Sequence, residues 1–369
     1  MSGPAFTSGP DAAASQAVLT IDLRALAANW RDLAMRVAPA TCSAVVKADA
    51  YGIGIEAAVP ALIEAGCKVF FVAHPSEGLR VRALSPDVEI FVLNALTPEA
   101  APLYSSARLT PVLSSLADAS VWASLGGGPC ALHVDTGMNR LGVSIDEIAS
   151  VAEFRLQINL LMTHFVSSED AGDALNATQI ARFEEARRLM PGVRASLANS
   201  SAVFLPQQPF ADLVRPGYAL YGGNPTPGQD NPMRAVVTLE ARLLQIRTVQ
   251  VGETVGYNAQ WTARRRSRIA TIGIGYADGL PRFAMATDKK RGGEAIVEGV
   301  RCSFAGRVSM DLTVLDVTDV PEEAIGPHTR ARLLGSDITV DDLGQRGGTI
   351  GYEILTRLGA RYHRVYVND

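Results

Sequence analysis

The chain is poor in most of the features that narrow a protein to a class. Its four cysteines (Cys42, Cys67, Cys130 and Cys302) are scattered, without a CxxC pair or the density of a disulfide scaffold, so they read as reduced thiols of a cytoplasmic protein. The five histidines show no metal-ligand spacing, and no metal is expected. No apolar run approaches the roughly 20 residues that span a bilayer. A net charge of −4 implies no nucleic-acid backbone as partner. Residues 1–16 have neither a basic n-region nor an apolar h-region, and read as a flexible tail rather than a signal peptide. The glycine-rich stretches fail as nucleotide loops. Gly126-Gly-Gly-Pro129 precedes a strand rather than opening a helix, and Gly273-Ile-Gly275 lacks a third glycine.

What is present is a core. With 369 residues, 47% of them hydrophobic, the chain has material for about two domains. From residue 25 to about 235, short apolar runs alternate with helical patterns. The strand candidates are 42–47, 68–74, 88–94, 109–113, 131–135, 156–164, 193–199 and 211–215. Helices are expected over 24–36, 56–65 and 177–189, the last opened by Asn176 with Gln179 three residues on. Eight such units fit an α/β architecture, one (β/α)8 barrel of the TIM type over 17–235. Beyond 236 the texture turns to β runs broken by glycine turns, which predicts an all-β domain to residue 369.

Strand ends carry the chemistry. Lys47, His74, Asn94, Asp135, His164, Asn199, Ser200 and Arg215 all stand where a strand gives way to a loop, the active-site rim of a barrel. Taken singly, each is an ordinary strand–loop polar residue, and Lys47 an ordinary surface lysine. Together they allow another reading. A lysine desolvated at a barrel mouth loses part of its preference for the charged form and becomes a nucleophilic amine. Asn199-Ser200-Ser201 and Arg215-Pro-Gly217-Tyr218 follow strands seven and eight, where barrels cradle phosphate on backbone N–H groups, hydroxyls and glycine. The β region holds its own group: Tyr257, Tyr276, Arg307, Met310, Asp311 and Tyr352.

Nine segments in order carry a resemblance to the alanine racemases, pyridoxal-phosphate enzymes of fold type III. They include Val46-Lys47-Ala-Asp-Ala-Tyr51-Gly52, His133-Val-Asp135-Thr-Gly-Met-Asn-Arg140-Leu-Gly142, Thr163-His164-Phe165 and Ala198-Asn199-Ser200. In the same order come Val214-Arg215-Pro-Gly217-Tyr-Ala-Leu-Tyr221-Gly222, Val255-Gly-Tyr257, Gly275-Tyr276-Ala-Asp-Gly279, Gly306-Arg307-Val-Ser-Met310-Asp311 and Gly351-Tyr352-Glu353. The resemblance implies a homodimer with shared active sites that interconverts L- and D-alanine by two bases and supplies or consumes D-alanine for peptidoglycan. Lys47 resembles the Schiff-base lysine, which is also the base toward D-alanine. Tyr257 resembles the opposing base toward L-alanine, lent by the second subunit. His164 is similar to the histidine against the cofactor ring, Arg215 to the arginine facing its pyridine nitrogen, and Arg140 to the residue at its phenolic oxygen and the substrate carboxylate. Tyr51, Asn199, Ser200, Gly217, Tyr218 and Tyr352 match cofactor-binding positions. Tyr276, Met310 and Asp311 match the substrate side, where a pocket limited to a methyl group would favour alanine.

Two positions depart from the family pattern. His133 stands where a lysine, often carbamylated, usually orients the residue matching Arg140. Ser196 stands where a histidine usually supports the pyridine-facing arginine. Alternatives that the resemblance leaves are a broader racemase acting on alanine and serine, and another fold-type III pyridoxal-phosphate enzyme such as a decarboxylase. The first would more typically bring an export signal and paired cysteines. The second would bring an acid in place of Tyr257.

Overall fold

The structure, a computed structural model, describes residues 6–368. It divides into two compact units. One comprises residues 26–220 with 224–233; the other comprises the residues up to Ala25, Tyr221–Gly223 and Arg234 onward.

The first unit is the expected barrel. Its parallel strands are β1 (Ala44–Val45), β2 (Val69–Val72), β3 (Glu89–Val92), β4 (Thr110–Leu113), β5 (Pro129–His133), β6 (Gln157–Met162), β7 (Arg194–Ser196) and β8 (Leu213–Val214). β1 through β7 pair in sequence order. Asp212 N–H donates to Ala195 O (3.0 Å) and Arg215 N–H to Ala198 O (2.8 Å), which seats β8 beside β7. β8 in turn pairs with Thr41–Cys42, the stretch leading into β1, so the ring closes. The strands read as continuous apolar runs because both faces are covered; Phe70, Phe71, Ile90, Phe91, Val112 and Leu132 are fully buried.

Helix Ala174–Leu189 corrects one expectation. Its N-cap is Asp173, whose side chain accepts from Leu175 N–H. Asn176 lies in the first turn and Gln179 in the second, both fully buried. Their amides serve tertiary contacts instead of the helix end, with Asn176 Nδ2 donating to Asp170 O at 2.8 Å.

The second unit is built on a nine-stranded sheet. Its spine is the 13-residue strand Val237–Val249. Register shifts at Leu239/Glu240 and Leu243/Gln245 let that strand serve different neighbours along its length. Two short helices, Val340–Gly347 and Gly351–Thr356, interrupt the β pattern near the end. The expected boundaries need correcting here. Ala17–Asp22, assigned to the barrel, is a strand between Val237–Val249 and His363–Val367. Its alternating burial, with Ala17, Leu19 and Ile21 inward, suits a half-buried mixed sheet. Phe6–Ser8, assigned to the tail, pairs with His363–Val367, where Phe6 stacks on Tyr366 at 4.6 Å. Residues 1–5 of that tail lie outside the described residues.

Candidate active site

The C-terminal ends of the barrel strands bring Lys47, His133, Arg140, His164 and Arg215 into one electrostatic neighbourhood. Burial first, and then each of the other four, push the His164 imidazole down to about 3. His133, the last residue of β5, is pushed to about 4, first by burial and then by Arg215 and Arg140. Both rings are therefore neutral at ordinary pH. Burial also lowers Lys47; Arg140 and Arg215 add to the shift, and Glu77 opposes it. Cations gathered with so little negative charge beside them make a site for an anion.

Arg215 is the most enclosed of these groups, and burial lowers it to about 10, still cationic at neutral pH. Its bonds go to neutral acceptors. Nη2 donates to Thr163 O at 2.6 Å, and Nη1 donates to the Ser196 hydroxyl, which passes its own hydrogen to Leu213 O at 2.6 Å. Ser196 thus fills the supporting place with a smaller group.

Lys47 follows β1 and opens an unusual turn. Ala48, Asp49, Ala50 and Tyr51 all have φ between 52° and 55°, a left-handed conformation that no glycine relieves. Such backbone costs on the order of 1–2 kcal/mol per residue. Two bonds close within it, Ala50 N–H to Val46 O and Gly52 N–H to Ala48 O, both 2.9 Å, and further bonds reach it from a neighbouring helix. Strain of this kind gathers where geometry matters to function.

That turn delivers Tyr51 against the loop after β8. A Cβ on Gly217 would lie 2.4 Å from the Tyr51 hydroxyl, so only glycine permits the approach. The Ser200 hydroxyl oxygen accepts from Gly217 N–H (3.0 Å) and Ala219 N–H (3.2 Å). Ser200, Tyr51, Gly217 and Tyr218 are buried together, whereas Arg140 is exposed. Asn199 Oδ1 accepts from Ser168 Oγ (2.9 Å) and Ala202 N–H (3.0 Å), tying down the loop that carries Ser200. Asp135 likewise folds onto its own loop, accepting from the N–H groups of Gly137, Met138 and Asn139 at 2.8–2.9 Å, and so shapes the approach to Arg140.

The β unit holds the remaining residues. Tyr276 N–H donates to Ser309 O and Ala277 N–H to Met310 O, both at 3.0 Å, so Tyr276 and Met310 sit on joined loops. Asp311 is engaged by Arg361 at 2.8 Å. Tyr257 opens a short 3-10 turn and is 67% exposed. Arg307 bonds Gln260 at 2.9 Å just beyond that turn. Tyr352 stands on helix Gly351–Thr356, on a different element. His74 and Asn94 approach each other at 3.4 Å at the ends of β2 and β3.

Sequence reading missed two supports. Gln179, buried on helix Ala174–Leu189, donates to Thr136 Oγ1 (3.1 Å) and His164 O (2.9 Å) and accepts from Val166 N–H (2.9 Å). Glu77 accepts from Ala48 N–H (2.6 Å) and Ala73 N–H (2.8 Å). Its signal was there: a glutamate at the third position of a helix begun by Pro75 reaches back to the strand end.

Residues 21–225 match the alanine racemase N-terminal domain, and residues 236–366 match the alanine racemase C-terminal domain. The chain belongs to the alanine racemase family. An alanine racemase from Methylobacterium nodulans is 53% identical over 358 residues, 95% of either chain. One from Rhizobium meliloti is 43% identical, covering 97% of this chain and 98% of that one. Agrobacterium fabrum has a biosynthetic and a catabolic alanine racemase, each 41% identical to this chain. Among solved structures, the alanine racemase of Bartonella henselae with covalently bound pyridoxal phosphate matches with a TM-score of 0.89. It is 37% identical and covers 96% of this chain and 100% of that one. The biosynthetic alanine racemase of Pseudomonas aeruginosa matches equally well at 0.89, with 34% identity over 95% of this chain and 99% of that one. The (β/α)8 barrel followed by an all-β domain is therefore the fold of this family.

Proposed function

We propose that this protein interconverts L-alanine and D-alanine, with pyridoxal phosphate held at the barrel mouth. The observation that carries the reading is the desolvated Lys47 amine among Arg140, Arg215 and neutral His164, beside the Ser200–Gly217 cradle. These residues fit the group: the Arg140 cation suits its phenolic oxygen, and Gly217, lacking a side chain, lets the Tyr51 hydroxyl close on the loop that carries the cradle's N–H groups. Tyr51, Ser200, Gly217, Tyr218 and Tyr352 would hold the phosphate, with Asn199 fixing the loop beneath it. His164 would pack against the ring, Arg215 would face the ring nitrogen, and Arg140 would meet the phenolic oxygen and the substrate carboxylate. When bound, the cofactor supplies an electron sink that acidifies the C–H bond at the α-carbon.

Racemisation then needs a proton taken from one face of that carbon and one delivered to the other. Lys47 serves the face of D-alanine, and its lowered pKa makes the neutral, accepting amine more available. Tyr257 serves the face of L-alanine. Arg215 donates a hydrogen bond but gives up no proton, because a guanidinium stays charged in a protein. Tyr276 and Met310 limit the substrate side chain to a methyl group, and Asp311, held by Arg361, closes that side.

Tyr257, Met310 and Tyr276 are 67%, 53% and 41% exposed, which supports a homodimer in which each chain lends these groups to the other's site. No helix among the described residues is long and apolar enough to cross a membrane. A cytoplasmic enzyme that supplies or consumes D-alanine for peptidoglycan suits the reading.

The test is an assay of L-alanine and L-serine racemisation on the purified protein, followed by borohydride reduction and peptide mapping. Alanine turnover well above serine turnover is expected, with the pyridoxyl mass on the Lys47 peptide. A label on another lysine would overturn the site, and equal serine turnover would overturn the alanine preference.

A further inference from the structure

The left-handed turn after Lys47 is gripped by one helix. On Pro75–Leu84, Glu77 and Arg80 lie three residues apart and so on one face. Glu77 Oε1 accepts from Ala48 N–H at 2.6 Å, while Oε2 accepts from Ala73 N–H (2.8 Å) and His74 N–H (3.2 Å). Arg80 Nη2 donates to Asp49 Oδ1 at 2.5 Å, and the same guanidinium pairs with Glu56. Asp49 Oδ1 also accepts from Ile55 N–H at 3.1 Å, and Asp49 O from Gly54 N–H at 2.9 Å. The first residue of the turn is thus held by its amide and the second by its side chain, both from the same helix face.

The amide that Glu77 holds belongs to the peptide joining Lys47 to Ala48, so its plane, and with it the direction in which Lys47 leaves the backbone, follows the carboxylate. The far end of the same turn is Tyr51, packed on Gly217. One rigid turn therefore sets both the amine and the tyrosine of the cradle. Ala48, Asp49 and Ala50 have no intrinsic reason to stay left-handed, so an outside grip is needed.

We propose that Glu77, seconded by Arg80, is a positioning residue for Lys47: its carboxylate locks the left-handed turn and thereby aims the amine. The proposal rests on Lys47 as the cofactor-bearing base. It requires a carboxylate rather than an amide, because three N–H groups converge on Glu77 and a glutamine would turn its NH2 toward one of them. Glu77 is also the negative group opposing Arg140, Arg215 and burial at Lys47, with His133 and His164 neutral nearby.

The experiment compares full-length wild type, Glu77→Gln, Glu77→Ala and Arg82→Ala. The last variant alters the same helix through bonds to Ala107 O and Val88 O, away from the turn. Hydrogen exchange at residues 48–51, read on protein stripped of cofactor, should quicken at least tenfold in both Glu77 variants and not in Arg82→Ala. The pH midpoint for reductive methylation of Lys47, also read without cofactor, should move down in Glu77→Gln, since removing the negative charge disfavours the ammonium. Reloaded with pyridoxal phosphate, both Glu77 variants should release it at least tenfold faster and lose at least tenfold in kcat, with KM for alanine changed less than threefold. Unchanged exchange at 48–51, or the same changes in Arg82→Ala, would overturn the clamp. Faster exchange with an unmoved methylation midpoint, or with cofactor release and kcat within twofold of wild type, would overturn the positioning role. Failure of wild type to take a pyridoxyl label on Lys47 would instead sink the function reading, while the exchange arm still decides the clamp.

Discussion

At the scale of single residues, the site is governed by what replaces missing charge. Arg215 sits fully enclosed and is answered by a backbone carbonyl and by Ser196. The hydroxyl succeeds where a larger imidazole usually stands because it accepts from the guanidinium and donates to Leu213 O within β8. Removing it strands two buried partners. Ser196→Ala should therefore lower the unfolding free energy by about 1–3 kcal/mol, the cost of an unsatisfied buried group. Urea unfolding would check this, and an unchanged midpoint would show that Arg215 finds its acceptors elsewhere. His133 brings a pH dependence of its own. Its folded pKa of about 4 lies below the ordinary 6.5, so the unfolded chain binds the proton first. Its contribution is whole above pH 6.5 and is lost as pH falls toward 4, to a limit of roughly 3 kcal/mol. In protein stripped of cofactor, the stability gap between wild type and His133→Asn should shrink by about that amount between pH 7.5 and 4, measured by urea midpoints. A gap that stays constant would mean that His133 titrates normally.

At the scale of elements, the helices do more than cover the barrel. Pro75–Leu84 grips the turn after β1, and Ala174–Leu189 ties the loops after β5 and β6 through Gln179. Gln179→Ala would leave Val166 N–H and His164 O without that partner. A loss of about 2–3 kcal/mol is expected, with an unchanged urea m-value because the unfolded chain is the same. Cofactor affinity should fall with it, since His164 and the Arg140 loop lose their common tie. Unaltered cofactor affinity at reduced stability would confine Gln179 to a structural part. The Ala177–Leu189 pattern was legible in the sequence, but its start was misread. Asn176 and Gln179 look like a capping box by spacing alone, yet a buried amide will satisfy whichever partners surround it, and those partners lie 6 to 43 residues away.

At the scale of the whole molecule, the β unit exposes Tyr257, Phe283, Met310 and Ile350 at 53–67%, a heavy load of apolar and aromatic surface for one protein. The shared-site homodimer proposed above would account for it, and it makes a quantitative claim. Lys47→Ala and Tyr257→Phe homodimers, each inactive, should regain activity when mixed and allowed to exchange subunits. Random pairing makes about half the dimers mixed, with one intact site in two, so about a quarter of wild-type activity is expected. Exchange proven by mass spectrometry without recovered activity would sink the shared site.

The order of the eight barrel strands, the positions of Lys47, Ser200 and Arg215 at strand ends, and the change of texture near residue 236 were all legible in the sequence. Each depends on side-chain periodicity or on a local turn, properties that a few neighbouring residues carry. What only the tertiary structure decided depends on partners distant in the chain. Ala17–Asp22 joins a sheet with Val237–Val249, more than two hundred residues on, because its half-buried alternation suits that sheet, and nothing local reveals which sheet will accept it. The left-handed turn at Ala48–Tyr51 is invisible to propensity, since alanine prefers a right-handed helix, and it exists through the grip of Glu77 and Arg80. Ser196 and Gln179 acquired their parts in the same way. A polar side chain in a closing barrel is committed by whichever donors and acceptors the ring brings to it, and that choice is made only once the chain has closed.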